Sequence, residues 1–326
     1  MGEPIGPNLG FDLVRVTEAA ALASARWMGR GDKNAADGAA VNAMRYAIGS
    51  VEMDGVVVIG EGLKDQAPML YIGEKVGTGK PPQVDVAVDP IDGTRLLSKG
   101  LPNALSVIAL AERGALYDTP LSYVNKIAVH YAARGSIDIT ASVATNLKNI
   151  ARALHYDVED LGVVVLERPR HDTLIGEIRK AGARIRLISD GDVAGAIMAA
   201  MDDTGVDVLM GVGGAPEAVV AAVALRCLGG EIQCQLWPKD DAERKLVYEQ
   251  KLDVNRVLTT EDLVRTDDVF FAATGITDGE LLHGVHYFAR GAKTQSLVMR
   301  GHSGTVRVVE ASHNLNKLQH ISNLKY

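Results

Sequence analysis

Three consecutive strand–loop–helix units dominate the second half of this 326-residue sequence. The apolar runs 162–166, 184–188 and 206–210 each end in a short segment rich in glycine or charge, and a helical pattern follows each segment. Strands that alternate with helices in this way usually pair in parallel, with the helices packed on the sheet. The sequence therefore predicts a mostly parallel α/β layer in its C-terminal half.

The first half follows a different pattern. Two amphipathic helices are predicted at 11–28 and 34–48. Three apolar runs then come close together without long helices between them, at 56–59, 84–88 and 105–111. This spacing is typical of a mixed or antiparallel sheet.

The change of pattern divides the chain. Its length favours about two domains, and we place the boundary near residue 160, which gives an N-terminal domain at 1–160 and a C-terminal domain at 161–326. The predicted fold class is α/β of the layered α+β kind, with a mixed N-terminal sheet.

Charge and hydropathy exclude several classes of partner. The net charge is −7, without the clustered cationic face that nucleic-acid binding needs. No apolar run approaches the ~18 residues of a membrane span, and the N-terminus lacks a basic segment followed by a long apolar stretch. We therefore predict a cytoplasmic protein with no nucleic-acid or membrane partner.

Acidic residues collect where predicted strands end. Asp32, Glu61, Asp89 and Asp92 lie in glycine-flanked loops, and Glu217 opens a predicted helix. Any one of them could be a helix cap or a turn residue. As a group, however, loops at the carboxyl edge of a sheet converge on one cleft. Oxygen ligands without His or Cys select Mg²⁺ or Mn²⁺ rather than Zn²⁺.

The segment Asp89-Pro90-Ile91-Asp92-Gly93-Thr94 is the most informative of these loops. Its two carboxylates, three residues apart across a tight turn, can face one point, and Gly93 allows close backbone approach. The N–H groups that follow at a helix start form a ready anion site. Divalent metals beside an anion site are what phosphate-monoester hydrolysis requires.

This segment resembles the signature of the lithium-sensitive, metal-dependent phosphatase superfamily. Further blocks resemble the class II (GlpX-type) fructose-1,6-bisphosphatases in particular, and the resemblance covers about residues 10–318. These blocks are Gly29-Arg30-Gly31-Asp32-Lys33, Val58-Ile59-Gly60-Glu61-Gly62, Ala67-Pro68-Met69-Leu70, Tyr123-Val124-Asn125-Lys126, Arg168-Pro169-Arg170-His171, Asp190-Gly191-Asp192-Val193-Ala194-Gly195 and Gly213-Gly214-Ala215-Pro216-Glu217.

The resemblance implies an αβαβα sandwich in which the N-terminal domain binds metal and phosphate and the C-terminal domain binds the sugar phosphate. It implies catalytic roles for Thr94 and Asp65, each near the attacking water. The implied metal ligands are Asp32, Glu61, Asp89, Asp92 and Glu217. The implied substrate-binding residues are Asp92, Gly93, Thr94, Tyr123, Arg168, Pro169, Arg170, Asp190, Gly191, Asp192 and Gly214.

Within that set, Asp92, Gly93 and Thr94 are expected to bracket the 1-phosphate. The two arginines are expected on the 6-phosphate, because guanidinium groups bind phosphate in a bidentate manner. Asp190 and Asp192 fit better as acceptors for sugar hydroxyls.

Three residues depart from the family pattern: Leu63, Gln66 and Arg95. The first two remove outer carboxylates, which bears on metal preference, whereas Arg95 adds positive charge near the phosphate. Two other features carry less weight. The glycine run 211–214 lacks the third glycine of a dinucleotide loop, and the charged run 239–245 is typical of a solvated helix start.

The resulting hypothesis is a homo-oligomer, dimeric or tetrameric, that hydrolyses D-fructose 1,6-bisphosphate to fructose 6-phosphate with Mg²⁺ or Mn²⁺, as in gluconeogenesis. Two alternatives stay open. One is a bifunctional enzyme that also accepts sedoheptulose 1,7-bisphosphate, since one extra carbon in a sugar is a small discrimination. The other is a non-catalytic sugar-phosphate sensor.

Overall fold

The computed structural model describes residues 8–62, 69–118, 120–322, 324 and 326. Its strands are β1 (Asp54–Ile59), β2 (Lys75–Val76), β3 (Gln83–Asp92), β4 (Leu105–Glu112), β5 (Tyr123–Val129), β6 (Gly162–Leu166), β7 (Arg184–Ile188), β8 (Val208–Gly214), β9 (Glu231–Leu236), β10 (Val269–Gly275), β11 (His286–Phe288), β12 (Gly291–Arg300) and β13 (Thr305–Asn314). Its α-helices are α1 (Gly10–Ser24), α2 (Lys33–Ile48), α3 (Thr94–Lys99), α4 (Val143–Leu154), α5 (Asp172–Ala181), α6 (Asp192–Ala200), α7 (Ala215–Leu228), α8 (Asp241–Glu249), α9 (Thr260–Leu263) and α10 (Leu315–Ser322).

The larger of two sheets is mixed, as the sequence predicts for the N-terminal half. Within the described residues its eight strands run in the order β11-β12-β10-β4-β3-β1-β2, and β13 pairs with β12. β1 and β3 pair in parallel, and β3 pairs with β4 antiparallel. β3 is buried along most of its length because protein covers both of its faces.

The second sheet has the order β7-β6-β8-β5-β9. β6 pairs in parallel with both β7 and β8, as predicted for the three strand–loop–helix units. β5, however, pairs antiparallel with both β8 and β9. The prediction of a mostly parallel layer is therefore wrong for the sheet as a whole, because a strand from an earlier part of the chain is inserted between β8 and β9.

The two sheets do not follow the predicted division at residue 160. β5 lies before that residue in a sheet otherwise formed by later strands, and β10 to β13 lie after it in the sheet that holds β1 to β4. The chain thus returns to its first sheet near its end. The two-domain division remains a prediction.

Three apolar clusters hold these elements together. α1 and α2 pack on one face of the larger sheet. The Ala/Val-rich α7 is buried on nearly all sides, with α6 beside it, among residues of both sheets. α4 and α5 cover residues of β6 and β8 in the third cluster. The architecture is a mixed α/β fold, consistent with α+β. No helix in the described parts of the chain is long and apolar enough to cross a bilayer.

Candidate active site

The functional residues meet where strands of both sheets end. β3 ends at Asp92, β1 ends two residues before Glu61, and β8 leads directly into α7, whose first turn carries Glu217. A cavity of about 340 Å³ opens between these ends. We call it the acid cavity; its lining is Ile59, Gly60, Glu61, Val88, Asp89, Ile91, Asp92, Gly93, Thr94, Asp190, Val193, Pro216, Glu217 and Val220.

A second cavity, of about 390 Å³, adjoins the first. We call it the arginine cavity; its lining is Asp92, Ser122, Tyr123, Leu166, Arg168, Arg170, Asp190, Gly191, Asp192, Gly213, Gly214, Pro216, Glu217 and Lys239. The two share Asp92, Asp190, Pro216 and Glu217. They therefore form one cleft with an acidic end and a cationic end.

The end of β3 presents the carboxylates of Asp89 and Asp92 to the acid cavity, as the sequence predicts. The pairing of β3 with β4 is irregular between Asp89 and Asp92, and Asp89 Oδ1 accepts a hydrogen bond from the Ile91 N–H at 3.0 Å. Gly93 follows with a φ of 94°, a left-handed conformation that favours glycine, and α3 begins at the next residue. The backbone thus turns sharply enough for both carboxylates to line one cavity.

Crowding of acids changes their protonation. Burial raises the pKa of Asp89 well above its ordinary value, and repulsion from Asp92 and Glu217 adds to the rise. Burial also raises the pKa of Asp92, with repulsion from Asp192 and Glu217. The pKa of Glu217 is raised by burial and by Asp192. Each shift has the sign expected of carboxylates that lack a neutralising cation.

Two carboxylate oxygens at the shared wall indicate where such a cation fits. Asp92 Oδ2 and Glu217 Oε2 are buried without a hydrogen-bond partner among the described residues. Buried, unpaired charge is costly, and oxygen ligands suit Mg²⁺ or Mn²⁺. No group of three or more His, Cys, Asp or Glu side chains that could hold a metal ion is found among the described residues. Mg²⁺ does not need one, because it keeps several waters and takes one or two carboxylates together with substrate phosphate. The residues fit an open cation site.

A lysine that the sequence reasoning missed lies behind these acids. Lys126, in β5, is 3% exposed, and its Nζ lies 2.6 Å from Asp192 Oδ2. Burial alone lowers the pKa of Lys126, but attraction to Asp192 and Glu217 outweighs it and raises the pKa. Lys126 is therefore a fixed internal cation that partly offsets the acids around it. Lys126 stands in the block 123–126 of the family resemblance, but nothing in the sequence marked it as buried.

Asp32 is placed apart from the other predicted ligands. Its exposed side chain caps α2 by accepting a hydrogen bond from the Ala35 N–H at 3.0 Å, and it is absent from the lining of both cavities. Asp37, one turn further along α2, instead accepts a hydrogen bond from Thr94 Oγ1 at 3.1 Å. Asp37 does not line either cavity, but through Thr94 it is the residue of this helix that contacts the site, and the sequence reasoning missed it.

The environment of Asp37 ties it to the acid cavity. Burial raises its pKa, although the hydrogen bond from Thr94 acts in the opposite direction. Glu61 is exposed as a residue, yet the protein atoms around its carboxyl raise its pKa, and repulsion from Asp37 adds to this. The sequence gives no sign of this role, because Asp37 lies within a predicted helix and resembles an ordinary surface acid.

Thr94 stands at the junction of these groups. It is the first residue of α3, and besides Asp37 its Oγ1 lies 3.3 Å from the carbonyl oxygen of Ile91. A hydroxyl has one proton to donate and lone pairs to accept with. When the Thr94 hydroxyl donates its hydrogen bond to Asp37, the Thr94 oxygen can still accept a hydrogen bond from a water in the cavity.

The arginine cavity gathers the remaining predicted substrate residues. Arg168 Nη2 lies 3.8 Å from Asp190 Oδ1. Arg170 donates to the carbonyl oxygen of Val212 from Nε at 3.2 Å and from Nη2 at 2.7 Å, and its guanidinium lies 5.2 Å from the centre of the Tyr123 ring. Pro169 starts the short 3₁₀ turn that separates the two arginines.

Glycines let the loops of this cavity approach each other. Gly191 precedes α6 with a φ of 78°. A Cβ on Gly214 would collide with the Glu217 carboxylate. The close approach predicted for Gly214 therefore involves a protein carboxylate at the shared wall.

Lys239 and Ser122 were not predicted to be site residues, yet both line the arginine cavity. Lys239 Nζ lies 3.0 Å from Ser122 Oγ and 3.6 Å from Glu243 Oε1. Glu243 also accepts hydrogen bonds from the N–H groups of Ser122 and Lys239, each at 3.0 Å. The charged run read as a solvated helix start therefore brings a third cation to the arginines.

Most predicted residues thus meet in one cleft. Asp32 and Pro169 are absent from its lining, and Asp65, Leu63 and Gln66 fall outside the described residues. Arg95 is exposed on α3.

Comparison with known proteins agrees with this geometry. Residues 7–313 match the family described as bacterial fructose-1,6-bisphosphatase, glpX-encoded. The chain is 46% identical over 323 residues to "Fructose-1,6-bisphosphatase 1 class 2" of Escherichia coli (strain K12), which covers 95% of this chain and 96% of that protein. It has the same identity and coverage with "Fructose-1,6-bisphosphatase class 2" of Shigella flexneri. The chain therefore belongs to the glpX-encoded bacterial fructose-1,6-bisphosphatase family.

Proposed function

We propose that the protein hydrolyses D-fructose 1,6-bisphosphate to fructose 6-phosphate and orthophosphate, as its relatives' names indicate for them. One observation carries the proposal most directly. The cleft joins an acid cavity, suited to metal ions and the reacting phosphate, to an arginine cavity suited to a second phosphate. A sugar that carries a phosphate at each end matches both cavities at once.

The metal would be Mg²⁺ or Mn²⁺, held by carboxylates of the acid cavity. We propose Glu61, Asp89, Asp92 and Glu217 for this role, together with Asp37 in the place that the sequence assigned to Asp32. When bound, such ions activate a water and neutralise charge on the reacting phosphate. The raised pKa values of Asp89 and Asp92 mean that these two carboxyl groups bind protons more readily than free aspartates do.

Thr94 and Asp37 would orient the attacking water. Asp37 accepts a hydrogen bond from the Thr94 hydroxyl, which leaves the Thr94 oxygen to accept a hydrogen bond from the water. The water oxygen then adds to phosphorus as the bond to the sugar oxygen breaks. One proton of the water stays on the orthophosphate, and the other ends on the leaving sugar oxygen, which becomes a hydroxyl of fructose 6-phosphate. Asp92, Gly93 and Thr94 bracket the 1-phosphate in this arrangement. The role predicted for Asp65 in assisting the water is kept as part of the proposal.

The arginine cavity would hold the rest of the substrate. Arg168 and Arg170 bind the 6-phosphate, with Tyr123 beside them and Pro169 setting their separation. Asp190 and Asp192 accept hydrogen bonds from sugar hydroxyls, and Lys126 fixes Asp192 for that task. Gly191 leaves room for the sugar, and Gly214, whose missing side chain leaves room for the Glu217 carboxylate, would contact the substrate through its backbone.

We extend the proposal to the assembly, cellular location, metabolic role and wider relationship of the protein. The chain would be a homo-oligomer of the cytoplasm that acts in gluconeogenesis and is related to the lithium-sensitive phosphatase superfamily. The αβαβα sandwich is kept as the proposed layering, because the three apolar clusters each join helices to sheet residues.

Phosphate release tests the proposal. Fructose 1,6-bisphosphate should release phosphate with Mn²⁺ or Mg²⁺ but not with EDTA, and inositol 1-phosphate should release little. Thr94→Ala should lower kcat by about 10²- to 10⁴-fold, the range for loss of positioned proton transfer, with an unchanged fold by circular dichroism. A fully active Thr94→Ala protein would refute the role of Thr94. Binding of the bisphosphate without release under either metal would favour the sensor instead.

A further inference from the structure

His171 is the buried titratable group of the arginine-bearing turn to which no role has been given. It follows Arg170 directly, and its side chain is enclosed, since the residue is only 2% exposed. Its Nδ1 lies 2.6 Å from the carbonyl oxygen of Leu166, and its Nε2 accepts a hydrogen bond from the Val212 N–H at 2.8 Å. Because a carbonyl only accepts, Nδ1 carries the proton and the ring is neutral.

The position of this ring in the sheet explains its partners. β6 and β8 pair in parallel at only two positions, Val163 with Val208 and Val164 with Leu209. Further along, His171 stands between them and bonds to the last residue of β6 on one side and to Val212 of β8 on the other. The imidazole thus bridges the two strands where the cleft opens between them.

The glycine run 211–214 makes room for the ring. Gly211 has a φ of 124°, and a Cβ there would lie 3.0 Å from His171 Nε2, closer than ordinary van der Waals contact. This contact therefore explains the glycine at position 211, the first of the run.

Val212 connects the histidine to the cavity. While its N–H is held by His171, its carbonyl oxygen accepts both hydrogen bonds from Arg170. The backbone of Val212 is therefore fixed by His171 at its N–H and orients, through its carbonyl in the following peptide group, the guanidinium that faces Tyr123. Burial lowers the pKa of His171, and its arginine neighbours lower it further, so the ring remains a hydrogen-bond acceptor for the Val212 N–H.

We infer that His171 is a positioning residue for distal-phosphate recognition, acting through the backbone of Val212 to hold Arg170 in its binding orientation. The inference rests on the proposed function, in which Arg170 contacts the 6-phosphate. It predicts that loss of His171 weakens binding of groups that carry this phosphate and leaves the reacting-phosphate end unaffected.

Product inhibition separates the two ends of the cleft. In His171→Phe, which fills the space but removes both hydrogen bonds, the Ki of fructose 6-phosphate and the KM of the bisphosphate should each rise about tenfold, the effect of misplacing one charged hydrogen-bonding group. The Ki of orthophosphate should stay within about twofold, which also reports that the variant is folded. His171→Gln, whose amide oxygen can accept from the Val212 N–H, should recover part of the loss.

A double-mutant cycle identifies the route. Arg170→Ala should raise the Ki of fructose 6-phosphate by itself, and adding His171→Phe should change it little further, because the group being positioned is already gone. Multiplicative effects, or equal losses for fructose 6-phosphate and orthophosphate in His171→Phe, would overturn the inference. If Arg170→Ala leaves the Ki of fructose 6-phosphate unchanged, the assignment of Arg170 in the proposed function fails, and the inference fails with it.

Discussion

The acid cavity and the arginine cavity share a wall but are prepared for their ligands in different ways. In the arginine cavity the basic side chains already have partners. Arg170 is held by the Val212 carbonyl, Arg168 lies near Asp190, and Lys239 bonds to Ser122. In the acid cavity, Asp92 Oδ2 and Glu217 Oε2 lack a hydrogen-bond partner among the residues described. One cavity is preorganised, and the other is completed by a ligand from outside.

This difference assigns separate kinetic roles to the two cavities. Preorganised groups bind a remote part of the substrate and chiefly affect affinity, whereas groups that act on developing charge chiefly affect turnover. Changes in the acid cavity should therefore lower kcat and alter the response to metal and pH. Changes in the arginine cavity should raise KM.

The largest expected effect distinguishes two aspartates of one helix. Asp37→Asn keeps the size of the side chain but makes it a weaker acceptor for the hydrogen bond from the Thr94 hydroxyl. We therefore expect kcat to fall by about 10²- to 10⁴-fold. Asp32→Ala removes a helix cap and should lower the free energy of unfolding by about 1 kcal/mol, with kcat nearly unchanged. Steady-state kinetics and urea unfolding of both variants measure these effects.

These variants can also reverse the assignment. If Asp32→Ala abolishes turnover while Asp37→Asn remains active, the metal ligand predicted from the sequence is right and the placement drawn from the structure is wrong.

Removal of metal should reveal how far repulsion among the buried carboxylates of the acid cavity destabilises the folded protein. The folded pKa values of Asp89 and Asp92 lie above the ordinary 3.8. Their contribution to stability is therefore present in full below the ordinary pKa and is lost as pH rises through the raised pKa. Metal binding requires the deprotonated carboxylates, so it should restore more stability at higher pH. At 100 times the Kd, the gain is about 2.7 kcal/mol.

Thermal unfolding in EDTA and in saturating Mn²⁺, across a pH series, measures this gain. The difference in Tm between the two conditions should widen as pH rises and should shrink in Asp89→Asn. A constant difference across the series would show that the ion does not bind these carboxylates.

The smallest expected effect lies in the arginine cavity. Lys239→Met keeps the length of the side chain but removes its charge, so the KM of the bisphosphate should rise about threefold to tenfold, as is usual for one partly exposed charge on a phosphate. The rise should diminish at high salt, which screens exposed charges. Lys245→Met in α8, far more exposed and paired with Glu249, provides the matched control. An equal rise in both variants would point to a general change of charge.

Much of the fold could be predicted because the apolar pattern was local. The strands 162–166 and 184–188 have the predicted bounds, and the helix predicted at 34–48 is α2. β8 was placed too early, at 206–210, because its glycines suggested a loop. They are in fact paired with β5 as far as Tyr123 and Gly214. A glycine run becomes a strand only when a neighbouring strand supplies its hydrogen bonds, and one sequence does not reveal that neighbour.

The site could be predicted where a loop brought its own residues together. Asp89 and Asp92 come from one turn, and their joint presence in the acid cavity follows from that turn. Asp37 lies in α2, Lys126 in β5 and Lys239 just before α8. These elements come together at the cleft only when the chain has folded. Their local sequence is that of ordinary polar residues, so their roles depend on tertiary contacts that no short pattern contains.

Gly214 has a consequence for how this protein can evolve. Because a Cβ at this position would strike the Glu217 carboxylate, a single methyl group there would displace an acid of the shared wall. Arg168, Arg170 and Lys239 would keep their places at the other end of the cleft. A single substitution at this glycine would thus disturb a carboxylate of the shared wall and leave the basic end of the cleft in place.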